Sequence, residues 1–121
     1  MSLRTVLSRL FSDPSRLPPA DFVSRRRPGD GVLDVRTPRE FADGHLRGAI
    51  NVDLQGPDFA ARVEKLARKG RIPTDGPIYL YCRSGARSGR ATRLLREAGF
   101  REAYNVGGFL ALRRAGAEVR E

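Results

Sequence analysis

The sequence predicts an α/β domain whose mostly parallel sheet is covered by helices on both faces, and three observations carry that prediction. Short apolar runs alternate along the chain with segments whose apolar residues recur at helical spacing. The run Ile78-Tyr79-Leu80-Tyr81 is β-branched and aromatic without a polar face, as in a buried strand, and it leads through a Gly-containing loop into a helical pattern. With 121 residues, 40% of them hydrophobic, the chain can build one modest core and has no room for two.

Met1 to Phe11 is amphipathic, with Leu3, Val6, Leu7, Leu10 and Phe11 on one side, and lacks the continuous apolar stretch of a secretory signal. It is expected to be a short helix packed on the domain, the alternative being a helix for a membrane surface or a partner. Residues 1–16 are therefore set apart from a domain over 17–121. The chain turns after Asp13-Pro14, and Leu17-Pro18-Pro19 leads into a short helix over Ala20 to Val23 with Phe22 and Val23 inward. Arg25 to Gly31 is a basic, Gly-rich connection, and Val32-Leu33-Asp34-Val35 is the next strand, with Arg36 at its end. Thr37-Pro38-Arg39-Glu40 is a capping box with Pro at the first helical position, opening a short helix that holds Phe41. Asp43 to Val52 reads as a turn and a brief strand. Asp58 is the candidate N-cap of a helix through Phe59, Val63 and Leu66, with Arg62, Lys65 and Arg68 outward and Gly70 as its stop. After the turn Pro73 to Pro77 and the central strand, Ala91, Leu94, Leu95 and Ala98 form a helix face closed by Gly99, over which Phe100 packs back. Ala103 to Val106 reads as the last strand, Gly107-Gly108 as a tight turn and Phe109 to Ala115 as the final helix.

The net charge is +9, and nearly all of the basic residues are arginines spread from Arg4 to Arg120, Lys65 and Lys69 being the lysines. That scatter reads as solvated surface rather than a nucleic-acid footprint. No stretch approaches the ~20 apolar residues of a membrane span. A single cysteine excludes an intramolecular disulfide framework and the usual metal-ligand spacings, which points to a reducing, cytoplasmic setting and to no metal.

That cysteine, Cys82, ends the central strand where the loop toward the next helix begins, the place where open α/β sheets bind ligands. Loop amides and the helix N-terminus direct partial positive charge at it, and Arg83 and Arg87 add full charges, so the thiolate is favoured. A lone cysteine is often an inert buried hydrophobe, but Arg83-Ser84-Gly85-Ala86-Arg87-Ser88 does not build an apolar pocket. Cys82 is thus a candidate nucleophile. His45, the sole histidine, is the one candidate for a Cys-His pair; among its neighbouring glycines it is read instead as pinning its loop by a hydrogen bond.

Three blocks carry a family resemblance. Leu33-Asp34-Val35-Arg36-Thr37-Pro38-x-Glu40-Phe41-x-x-Gly44-His45-Leu46-x-Gly48-Ala49-Ile50-Asn51-Val52 resembles the first box of rhodanese-like sulfurtransferase domains. Tyr81-Cys82-Arg83-Ser84-Gly85-x-Arg87-Ser88 resembles their active-site loop, and Gly99-Phe100 through Asn105-Val106-x-Gly108 their closing segment. The resemblance spans about Leu17 to Val119. It implies a rhodanese-like fold with a central, mostly parallel five-stranded sheet. It also implies that Cys82 accepts sulfane sulfur as a persulfide, cradled by the backbone amides from Arg83 to Ser88, with Arg87 closing the loop and offering its donor fork and Arg83 nearer the mouth. Asp34 and Arg36, with His45, support the architecture. The donor would be a small anion such as thiosulfate and the acceptor a thiol, cyanide or a protein sulfur carrier, with no cofactor needed. One departure is visible: Leu112 stands where many members place an aromatic residue.

Two other readings compete. Cysteine-dependent phosphatases also use a Cys-to-Arg loop, but only four residues separate Cys82 from Arg87, one fewer than in their signature, which suits sulfur better than the bulkier phosphoryl group. A non-catalytic binding module would not need the Cys82 loop, and a redox sensor would lack a second cysteine to resolve it.

Overall fold

A computed structural model describes residues 13–121, so the amphipathic stretch Met1 to Phe11 lies outside the described residues. The elements in chain order are α1 (Pro19–Arg25), β1 (Gly31–Asp34), α2 (Pro38–Ala42), β2 (His45–Leu46), β3 (Ile50–Asn51), α3 (Phe59–Arg68), β4 (Ile78–Cys82), α4 (Ala86–Glu97), β5 (Ala103–Gly108), α5 (Phe109–Arg114) and β6 (Val119–Arg120). The main sheet has the order β3-β1-β4-β5 with every pairing parallel, while β2 and β6 form a separate antiparallel pair.

Four strands stand where five were expected. The fifth position, beside β5, is reduced to one parallel bridge between Arg16 and Asn105: Leu17 N–H donates to the Asn105 carbonyl at 2.9 Å and Asn105 N–H to the Ser15 carbonyl at 2.7 Å. Pro18 and Pro19 follow immediately, and a residue without an N–H cannot carry the ladder further.

Strand alternation divides the interior in two. Ile78, Leu80 and Cys82 of β4 and Leu33 of β1 join Val63, Ala91 and Leu95 in the core beneath α3 and α4. Tyr79 and Tyr81 of β4 and Val32 of β1 point the other way, meeting Phe22 of α1 and Leu112 of α5. Leu112 is fully buried there, and Tyr81 stacks on Phe109 at 6.0 Å, so the aliphatic side chain fills its place beneath the last helix. All of β4 is buried, and its missing polar face follows from that.

Helix ends largely follow their sequence signals. Thr37 and Glu40 form the reciprocal capping box at α2. Gly99, at φ 103°, lets the chain reverse so that Phe100 N–H reaches the Leu95 carbonyl at 2.9 Å. Three expectations need correction. Asp58 precedes α3 but does not cap it, because its backbone is left-handed (φ 46°, ψ 58°) and not in the extended conformation that aims a capping oxygen at the helix amides. Ala98 is exposed, since the buried stripe of α4 runs through Ser88, Ala91, Thr92 and Leu95. Gly107-Gly108 is no tight turn: β5 runs through it. The register passes from Leu80 opposite Asn105 to Tyr81 opposite Gly107, leaving Val106 as the extra residue of a bulge.

One buried polar network ties the core that holds Tyr81 and Leu46 to the end of β1. The Tyr81 hydroxyl donates to Asp34 Oδ2 at 2.7 Å and accepts the Leu46 N–H at 2.9 Å. Burial and the adjacent Asp34 carboxylate push the Tyr81 phenol far above its ordinary range, so it stays protonated as this donor. Removing it in Tyr81→Phe leaves a buried amide and a carboxylate oxygen each short of a partner. A loss of about 1–3 kcal/mol is expected, read in urea unfolding as a lower midpoint at unchanged slope.

Candidate active site

Cys82 is the last residue of β4, and β4 lies beside β1 at the point where strand order reverses: from β1 the chain first adds β3 on one side, then β4 on the other. Crevices at such switch points, beyond the carboxyl ends of the strands, are where α/β sheets bind ligands. Only Arg83, Ser84 and Gly85 separate β4 from α4, so the chain curls tightly around the sulfur. Gly85 takes φ 98° directly before the helix, a conformation that strains any other residue.

The curl aims donors at the sulfur. Gly85 N–H lies 3.0 Å from Cys82 Sγ, and Ser88 contributes its N–H and its hydroxyl, each at 3.4 Å. Burial works against the charged thiolate, yet the Ser88 hydroxyl and the amides of Ser88, Ser84 and Gly85 outweigh it and hold the thiol below its ordinary pKa. No side-chain base is needed for that activation.

Asn105 of β5 ties the loop from behind. Its Oδ1 accepts from Ser88 Oγ at 2.7 Å and from Gly107 N–H at 3.0 Å, and its Nδ2 donates to the Gly85 carbonyl at 3.1 Å. Gly108 permits the close approach of β5 to the loop: a Cβ there would lie 2.5 Å from the Arg83 carbonyl oxygen.

Arg87 departs from expectation. Both terminal nitrogens of Arg87 are taken by Glu40, at 2.7 and 3.0 Å, in a two-pronged bridge between α4 and α2. The fork that the sequence assigned to sulfur is therefore committed to a carboxylate. Arg83 is exposed at the loop. Ser84, Gly85 and Ala86 face outward onto a cleft of about 390 Å³ bordered by Arg16, Arg90 and Arg93.

Asp34 and Arg36 pair with each other at the end of β1, Nε and Nη2 of Arg36 reaching both carboxylate oxygens at 2.7–3.0 Å. Arg36 also donates to the Gly44 carbonyl at 2.6 Å and lies 4.5 Å over the Phe109 ring. His45 stacks on Phe41 at 3.7 Å with Nδ1 2.9 Å from the Phe41 carbonyl, so its ring is engaged at the α2 end and not paired with Cys82. Among the described residues no group of His, Cys, Asp and Glu side chains could hold a metal ion, and no helix is long and apolar enough to cross a membrane.

The family model described as Rhodanese-like domain matches residues 19–115. The chain belongs to this family. A Bacillus subtilis relative named YqhL, described as uncharacterized, is 46% identical over 79 residues, covering 64% of this chain and 56% of that protein, so the match spans little more than half of the relative's length. The thiosulfate sulfurtransferase GlpE of Stutzerimonas stutzeri is 33% identical over 101 residues, covering 82% of this chain and 84% of GlpE. Among solved structures, the rhodanese-like domain of the Anabaena protein Alr3790 superposes with a TM-score of 0.71 at 23% identity, over 89% of this chain and 80% of that one.

Two residues of this rhodanese-like domain's site received no site role from sequence reading. Asn105 was visible only as part of the closing segment, and its bonds to the loop exist because β5 pairs with β4. Glu40 was explained by its capping box, and nothing in that local signal reveals a second partner 47 residues away.

The Glu40–Arg87 bridge has a pH signature. The Arg87 guanidinium, aided by the Thr37 amide, lowers the Glu40 carboxyl from 4.5 to about 2 despite partial burial. A lowered folded-state pKa stabilises the fold above 4.5 and loses that contribution as pH falls toward 2. Glu40→Gln should therefore be less stable than the parent by a constant margin at neutral pH, with the gap closing between pH 4.5 and 2 in urea titrations. Gly108→Ala, at an ordinary φ of −102°, should instead cost about 1–3 kcal/mol at every pH, purely from the clash with the Arg83 carbonyl.

Proposed function

We propose that this rhodanese-like domain is a sulfurtransferase that carries sulfane sulfur on Cys82, taking it from thiosulfate or a persulfide donor and passing it to a thiol or cyanide in the reducing cytoplasm. One observation supports this above all: Cys82 Sγ is surrounded by the Gly85 and Ser88 amides and the Ser88 hydroxyl, with a thiol pKa held down, at the end of a buried strand. A nucleophile activated by fixed donors suits chemistry in which negative charge stays on sulfur throughout.

In the first half-reaction the Cys82 thiolate attacks the outer sulfur of the donor. A new S–S bond forms to Sγ and the bond inside the donor breaks, sulfite leaving with the electron pair when the donor is thiosulfate. The charge then rests on the outer sulfur of the Cys82 persulfide, within reach of the loop amides. In the second, an acceptor thiolate or cyanide attacks that outer sulfur, and Cys82 departs as the thiolate it began as. Neither step calls for a general base at the cysteine or for a cofactor.

Phosphatase chemistry fits the site less well. A phosphoryl group needs a guanidinium fork free to grip its oxygens, and Arg87 has its fork bound to Glu40. Intact-mass analysis after exposure to thiosulfate should show the gain of one sulfur atom, lost again on adding cyanide, with neither change in Cys82→Ala. Absence of the gain with thiosulfate and with glutathione persulfide, alongside phosphomonoester hydrolysis that depends on Cys82, would overturn the reading.

A further inference from the structure

The donor geometry at Cys82 contains a conflict that one residue resolves. Ser88 Oγ carries a single hydrogen and has two acceptors in reach, Asn105 Oδ1 at 2.7 Å and Cys82 Sγ at 3.4 Å. The orientation of the Asn105 amide is fixed by its other bonds. Turned over, it would set its NH2 against the Gly107 N–H and its oxygen against the Gly85 carbonyl, two repulsive contacts in place of two hydrogen bonds. Its backbone is held on both sides as well, by pairing with Leu80 of β4 and by the bridge to Arg16. Oδ1 is thus an acceptor held in place, and having no hydrogen it can only receive the hydroxyl proton of Ser88.

We propose that Asn105 is a positioning residue that holds the Ser88 hydroxyl hydrogen away from Cys82 whenever the sulfur is neutral and yields it when the sulfur is anionic. With Cys82 as a thiol, S–H faces a lone pair of Ser88 Oγ while O–H points to Asn105. With Cys82 as a thiolate, the O–H turns to Sγ and its bond to Asn105 is given up. This deepens the sulfur-transfer reading and rests on it for its role in turnover. Once the outer sulfur is bound, Sγ is an uncharged bridging atom and the hydrogen returns to Asn105; when an acceptor strips that sulfur off, the departing Sγ thiolate regains it. Asn105 therefore sets how much the thiolate gains from Ser88, since every gain is measured against a good bond lost.

The charged groups around the site are Arg83 in the loop, Arg87 on α4 with its partner Glu40 on α2, the Asp34–Arg36 pair at the end of β1, and Asp13, Arg16, Arg90 and Arg93 along the cleft outside the loop. Glu40 is held near 2 and Arg87 above its ordinary value, so neither changes charge around neutral pH. A His45→Gln background removes the chain's single imidazole from the profiles.

The test is the pH dependence of iodoacetamide alkylation of Cys82, which reads thiol acidity without any sulfur donor. Asn105→Ala frees the Ser88 hydrogen for the thiolate and should lower the apparent thiol pKa by about one unit, a tenfold gain in thiolate at fixed low pH. Asn105→Asp keeps the acceptor, strengthens it with charge and should shift the pKa upward. A loop merely disordered by substitution would move both variants in the same direction. In Ser88→Ala protein the effect of Asn105→Ala should vanish and that of Asn105→Asp should shrink to its charge contribution. An unchanged or raised pKa in Asn105→Ala, or a shift that persists undiminished without Ser88, overturns the proposal. Should Asn105→Ala fail to fold, Asn105→Asp measured with and without Ser88 decides alone: equal shifts in the two backgrounds overturn it. Failure of sulfur uptake from every donor would sink the sulfurtransferase reading and leave these alkylation profiles interpretable.

Discussion

Any negative charge on Cys82, at the end of a buried strand, has to be solvated by the chain itself, and that constraint shapes the loop and what packs around it. Water is largely displaced from Cys82, so each donor must come from fixed backbone or from a hydroxyl already in place. The loop meets the demand with three intervening residues and the first turn of α4. Such tightness is possible because Gly85 accepts a left-handed backbone and because Gly108 lets β5 press against the Arg83 carbonyl.

The rest of the sheet keeps that loop from relaxing. Asp34 sits fully buried between Arg36 and Tyr81, and through the Tyr81 hydroxyl it reaches the amide of Leu46. The carboxylate thereby links β1, β4 and the β2 segment in one connected polar cluster inside an apolar surround, where a partner lost would leave a charge unpaired. Asn51 adds bonds from its side-chain amide to the Asp34 and Arg36 carbonyls at 3.0 and 2.9 Å, fixing β3 to the same strand end. Glu40 and Arg87 join α2 to the start of α4. The loop and the start of α4 are thus held by two clamps, Glu40–Arg87 and Asn105, while Asp34 holds Tyr81, the residue from which Cys82 follows.

Much of this was legible in the residues. The alternating strand and helix patterns, the capping box at Thr37, the glycine stop at Gly99 and the position of Cys82 at a strand end are signals carried by neighbouring residues, and each appears where its local chemistry requires. Expectations failed where a neighbour in space competed with one in sequence. Gly107-Gly108 carries a strong turn signature, yet pairing with β4 draws both into the sheet and converts the flexibility into a bulge. Asp58 carries a capping signature, but its backbone runs left-handed, while the nearby Arg62 guanidinium takes the Pro57 and Asp53 carbonyls at 2.7 and 2.6 Å.

The sequence by itself determined the layer architecture, the family resemblance and the placing of a lone cysteine in a polar loop at a strand end, because periodicity, caps and residue type are properties of contiguous residues. Tertiary structure alone decided which groups surround that cysteine. Arg87 passed from an expected sulfur contact to the partner of Glu40, and Asn105 passed from a family-box letter to the residue that accepts from Ser88 Oγ beside the sulfur. Those assignments depend on hydrogen bonds between residues 17 to 47 positions apart, which only the pairing of strands and the docking of helices can bring within 3 Å.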